Sequence, residues 1–118
     1  MNYLEELWPL PSGYQKQQHQ AFTTLIVPFQ TKPGCGKAFE DRFERFVPLV
    51  RNEKGNIEFH FHRVIGSTDR FVLYERWQTQ QDLDMHNQLP STAQLIIDTM
   101  PLLTKGVVEF VLFASDIS

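Results

Sequence analysis

Phe71-Val72-Leu73-Tyr74-Glu75-Arg76-Trp77 is followed by a short polar break and then by Asp82-Leu83-Asp84-Met85-His86. The first part is rich in aromatic and β-branched residues and reads as a strand whose polar side chains enter only at its end. The second reads as a short helix, capped by Thr79, that brings an imidazole back over the strand. Strand side chains alternate between faces, so Glu75 and Trp77 share one side with Leu73 and Phe71. A buried carboxylate is costly unless paired. Glu75 therefore needs a partner, either His86 or an arginine.

Working outward, Asn56 to Ile65 alternates, with Ile57, Phe59, Phe61 and Ile65 on one face and Glu58, His60, His62 and Val64 on the other. Gly66-Ser67-Thr68-Asp69-Arg70 then turns the chain into Phe71, giving an antiparallel hairpin. Ala21 to Gln30 is a further strand, broken by Thr31-Lys32-Pro33-Gly34. Between Gly36 and Asn52 the apolar residues Ala38, Phe39, Phe43, Phe46, Val47 and Val50 follow helical spacing, and Pro48 is expected to kink the helix or loosen its last turn. A helix restarts at Ser91-Thr92 and runs through Leu95, Ile96, Thr99 and Met100, where Pro101 disturbs it. Gly106 to Ala114 is the last strand.

This order is β-α-β-β-α-β, the split βαβ arrangement of an α+β, ferredoxin-like domain with a four-stranded antiparallel sheet. Residues 21–118 form that domain and residues 1–20 an N-terminal extension, in which Tyr3, Leu4, Leu7 and Trp8 form a helical turn or two before Pro9. The last strand is apolar on both faces, although an antiparallel sheet covered on one side should alternate. A homodimer packed sheet against sheet covers the open face.

The bulk numbers narrow the function. A chain of 118 residues holds one domain, and 42% hydrophobic with 21% charged residues is ordinary for a globular protein. Ten Phe raise the aromatic share to 13%, which suits a large-residue core or a pocket for a flat ligand. A net charge of −3 without a long basic run argues against nucleic acid. Apolar runs are too short for a membrane span, and Glu5 and Glu6 stand where a signal peptide needs basic residues. The single Cys35 cannot form an internal disulfide, so a cytoplasmic setting is expected. Cys35 has no companion thiol and reads as a small residue at a helix entrance.

Several side chains carry candidate chemistry. His86 is a natural base, because imidazole titrates near neutral pH. Trp77 can donate through its indole N–H and stack on a flat ring. Phe43, Phe46, Phe59, Tyr74 and His62 are candidate pocket residues. Glu53 is expected to bind local backbone or arginine groups. His60 and His62 make a His-x-His pair, but a metal site would need ligands from neighbouring strands, and the sequence places none. A polar seam at a dimer interface or along the cavity is expected instead, with no metal.

Asn52-Glu53-Lys54-Gly55-Asn56-Ile57-Glu58-Phe59, Asp69-Arg70-Phe71 through Trp77, and the helix residue His86 together resemble the antibiotic biosynthesis monooxygenase (ABM) domain over about Phe22 to Phe113. The resemblance implies a dimeric α+β barrel with a cavity in each subunit between sheet and helices. It also implies oxygenases that use no cofactor, neither metal nor flavin, and oxidise phenols or quinols with molecular oxygen. Other members handle quinones, isomerise or degrade small sugar-like signals, or degrade haem. One departure stands out: the family often carries a His-aromatic pair after the proline that opens the second long helix, and here Pro90 is followed by Ser91 and Thr92. The expected function is a cofactor-independent monooxygenase acting on a small aromatic, phenolic or quinol substrate in an apolar pocket, with His86 as base or proton shuttle, Glu75 orienting it, and Trp77 and Tyr74 shaping the pocket. The rivals are an isomerase or degrader of a small sugar-like signal and a non-catalytic binder of a hydrophobic metabolite.

Overall fold

The computed structural model describes residues 23–106 and 111–115. The chain runs β1 (Thr23–Gln30), α1 (Gly36–Arg51), β2 (Asn56–Arg63), β3 (Arg70–Trp77), α2 (Gln80–His86), α3 (Pro90–Thr99), a 3₁₀ turn (Met100–Leu102) and β4 (Leu112–Ser115). The strands form one antiparallel sheet in the order β2-β3-β1-β4, the ferredoxin-like topology expected from the sequence. The N-terminal extension, with Leu4, Leu7 and Trp8, lies outside the described residues, as does 107–110 of the expected last strand. Among the described residues no helix is long and apolar enough to cross a membrane.

The core forms where one sheet face meets one stripe of α1. Phe39, Phe43, Phe46 and Val50 fall at helical spacing and are buried, while Lys37, Glu44 and Arg45 stay outside. They pack on Leu25, Val27 and Phe29 of β1, Phe59 of β2, and Phe71 and Leu73 of β3. Phe61 stacks on Phe43 at 4.4 Å between ring centres and on Phe71 at 5.2 Å. Such pairs add about 0.5–1.5 kcal/mol each beyond the area they bury. The high Phe content therefore builds this core.

Two glycines set how closely the elements meet. A side chain at Gly36 would run into the Thr68 carbonyl, so only glycine lets α1 start against the turn before β3. Gly55 holds a φ of +80° in the turn after α1, and a Cβ there would collide with Asp82 at the start of α2. Arg51 secures the same corner, its Nε and Nη2 donating to the Phe59 carbonyl at 3.1 and 2.9 Å. The turn carrying Glu53 is thus held against both β2 and α2.

Two expectations about β2 need correction. Ile57 is 40% exposed because the register slips between Asn56 and Glu58, taking it out of the inward row. Ile65 is fully exposed, since it lies in the turn beyond the strand end at Arg63. Pro48 sits inside the last turn of α1, yet the helix continues to Arg51 and closes with the Asn52 N–H on the Leu49 carbonyl at 3.3 Å.

Candidate functional site

Strand β3 contributes Glu75 and Trp77 to the helix-covered side, 3% and 0% exposed. Glu75 does not pair with His86 or an arginine as the sequence suggested. Its Oε1 accepts the Trp77 indole N–H at 2.7 Å, a contact open to residues two apart on one strand face. Burial pushes the Glu75 carboxyl above the usual carboxylate range; His86 and the indole N–H act against that shift, and the charge of Glu53 adds to it.

Helix α2 supplies the imidazole. Thr79 caps it, its Oγ1 accepting the Asp82 N–H at 3.0 Å. Leu83 and His86, three apart, then point to the same interior. The imidazole lies over Trp77 at 4.7 Å between ring centres and is flanked by Phe46 at 6.1 Å and Phe59 at 6.2 Å.

The partner of His86 is Glu53. Its Oε1 lies 2.6 Å from Nδ1, with the two side chains 14% and 5% exposed. A carboxylate accepts only, so Nδ1 carries the proton and the ring is held as one tautomer. The other nitrogen, Nε2, makes no hydrogen bond among the described residues. Helix α3 closes the arrangement, Thr92 Oγ1 donating to the His86 carbonyl at 2.7 Å and lying 3.5 Å from Nδ1. Thr92 thus holds the backbone of the histidine.

These groups surround an apolar cavity of about 20 Å³, lined by Leu25, Phe43, Phe46, Phe59, Leu73 and Leu95 beside Glu75, His86, Asn87 and Thr92. That volume is just above the ~10–15 Å³ one water needs. Among the described residues, two polar atoms here are enclosed without a hydrogen-bond partner: Glu53 Oε2 and Asn87 Nδ2.

Of the expected pocket residues, Phe43, Phe46 and Phe59 line this cavity. Tyr74 and His62 do not, because alternation puts them on the opposite sheet face. Tyr74 Oη donates to Glu58 Oε2 at 3.2 Å and its ring stacks with His60 at 6.4 Å, while exposed His62 contacts the Val72 carbonyl through Nδ1 at 3.1 Å. Among the described residues no group of three or more His, Cys, Asp or Glu side chains is arranged to hold a metal ion. Sequence reasoning missed Asn87 and assigned Glu53 to local contacts. The signal for Glu53 was its place in the turn that Gly55 packs against α2.

The fold recurs in solved structures. PA3566 of Pseudomonas aeruginosa superposes with a TM-score of 0.76 at 21% identity, covering 85% of this chain and 99% of its own. Rv0793 of Mycobacterium tuberculosis gives 0.75 at 20% identity, covering 83% and 97%. A Nitrosomonas europaea protein, provisionally described as an antibiotic biosynthesis monooxygenase, gives 0.74 at 19%, covering 84% and 93%. No curated protein matches the chain. The family profile for antibiotic biosynthesis monooxygenases matches residues 22–95, which include Glu53, Glu75, Trp77 and His86. The chain belongs to the antibiotic biosynthesis monooxygenase family.

Proposed function

We propose that this protein is a cofactor-independent monooxygenase acting on a small phenol or quinol, with His86 as the base. The observation that carries the reading is the division of labour on one buried ring: Nδ1–H is engaged by Glu53, and among the described residues Nε2 is left without a hydrogen bond beside an apolar cavity. A substrate hydroxyl would give its proton to Nε2, leaving an electron-rich phenolate. The Glu53 carboxylate stabilises the imidazolium that forms. The phenolate then donates electrons to dioxygen; one oxygen atom enters the substrate and the other leaves as water, with the substrate as reductant. Trp77, beneath the imidazole and tied to Glu75, keeps the floor rigid and dry. The general monooxygenase-like role also fits the family and the provisional description of the Nitrosomonas europaea neighbour.

At about 20 Å³ the cavity admits one water-sized molecule, so an aromatic ring requires the recess to widen. The seven-residue α2, which carries His86 and ends at Asn87, is the short element framing that recess. We also propose a homodimer through the outer sheet face. There Leu112 is 48% exposed beside half-buried Ile26, Val72 and Tyr74, a partly apolar surface on an otherwise polar face. The single, half-buried Cys35 is in keeping with a reducing, cytoplasmic setting.

Oxygen uptake against a panel of phenols and quinols tests the activity. The expected result is substrate-dependent uptake that His86→Ala abolishes. Uptake equal to buffer for both proteins refutes the oxygenase reading, and sugar-signal turnover without oxygen consumption would favour the isomerase.

A further inference from the structure

We infer that Asn87 is the donor that holds the substrate's phenolic or enolic oxygen beside His86, an inference that rests on the proton-abstraction reading of His86. Asn87 lines the same cavity and is only 6% exposed, and its Nδ2 is enclosed without a partner among the described residues. An unpaired buried amide carries the full cost of its lost hydration, so each one in a folded protein calls for an acceptor supplied from elsewhere. The backbone does not require asparagine here. Asn87 closes α2 through its main-chain N–H, which reaches the Leu83 carbonyl at 3.0 Å, and its φ of −69° suits any residue. The side chain is therefore free to serve a ligand.

The neighbouring groups define that ligand. Nε2 of His86 can take a proton, Nδ2 of Asn87 can donate two, and the remaining wall is mostly Phe and Leu. An atom that gives a proton to one and accepts a hydrogen bond from the other is a hydroxyl oxygen on an apolar body. As that proton moves to Nε2, negative charge grows on the oxygen facing the amide, where a donor in an apolar enclosure acts most strongly. A carboxylate ligand fits poorly, since a permanent anion would give up its hydration to enter a recess walled mostly by Phe and Leu. The ligand class is thus a neutral phenol or enol that ionises only once bound.

Equilibrium binding of 4-nitrophenol, whose spectrum separates phenol from phenolate, tests this without turnover; 4-nitroanisole serves as the control that cannot ionise. For Asn87→Leu we expect phenolate affinity to fall about tenfold, equivalent to about 1.4 kcal/mol. Affinity for 4-nitroanisole should hold, and Tm should stay level or rise because the orphaned amide is gone. Asn87→Asp should lose phenolate binding further. Unchanged phenolate affinity in Asn87→Leu overturns the inference. So does a parallel loss of both ligands with a fallen Tm, which marks a structural role, and so does wild-type protein that binds neither probe. The reading of His86 fails separately. If His86→Ala retains the phenolate preference while Asn87→Leu loses it, the base is wrong and the Asn87 contact stands; if no substrate drives oxygen uptake, the oxygenase reading fails and the Asn87 contact stands.

Discussion

Removing the Glu53 carboxylate should cost stability in graded steps. Glu53 Oε1 meets His86 Nδ1 at 2.6 Å, with both side chains largely out of water. A hydrogen bond to a charged group contributes about 1.5–3 kcal/mol, against about 0.5–1.5 kcal/mol between neutral groups. Glu53→Gln keeps an acceptor for Nδ1–H but loses the charge, so its expected cost is about 1 kcal/mol. Glu53→Ala removes the acceptor and strands Nδ1 in a buried site, raising the expected cost to about 3 kcal/mol. In a domain of this size each kcal/mol corresponds to about 4–8 °C in Tm, so calorimetry separates the two variants. Urea unfolding of Glu53→Ala, His86→Ala and the double variant closes a cycle, with an expected coupling of at least about 1.5 kcal/mol. Additive losses would refute the pairing. An equal cost for Gln and Ala would show that shape, rather than the polar contact, holds the turn.

Other consequences follow from the same geometry. Because burial raises the Glu75 carboxyl above its ordinary value of 4.5, the stability it lends is fully present below that value and is lost as pH rises through the raised one. Glu75→Gln keeps an acceptor for the Trp77 N–H, so its unfolding free energy should gain on wild type as pH rises from acid to neutral; a difference that stays flat with pH contradicts this. Thr92→Val leaves the His86 carbonyl without its 2.7 Å donor and should cost about 1–2 kcal/mol in urea while lowering turnover more than substrate affinity. Gly55→Ala sets a side chain at a φ of +80° against Asp82, and should destabilise by at least about 1 kcal/mol and disturb the Glu53–His86 contact seen by NMR. Leu112→Asp on the outer sheet face should shift sedimentation from dimer to monomer; an unchanged mass would move the interface elsewhere.

Much of the fold was legible because its signals are local. Alternation in Phe71–Trp77 put Glu75 and Trp77 inside, the Phe spacing from Phe39 to Phe46 marked the buried stripe of α1, and Thr79 announced α2. The same alternation, applied strictly, would have excluded Tyr74 and His62 from the pocket. The pairing of the acids was not legible. Glu53 and His86 are 33 residues apart, and their meeting depends on how closely Gly55 lets one turn approach α2. Burial gave Glu75 an indole partner in its own strand, which left His86 for Glu53. The register slip at Ile57 was equally hidden, because a bulge changes strand pairing without changing composition.

The central claim is that Glu53 holds His86 with its proton on Nδ1 and leaves Nε2 as the base. Nitrogen NMR of the histidine ring, recorded at a pH where the imidazole is neutral, reads this directly. Wild type should show a protonated Nδ1 and a bare Nε2, and Glu53→Ala mixed tautomers. A protonated Nε2 in wild type, or a tautomer indifferent to the loss of Glu53, would contradict that claim.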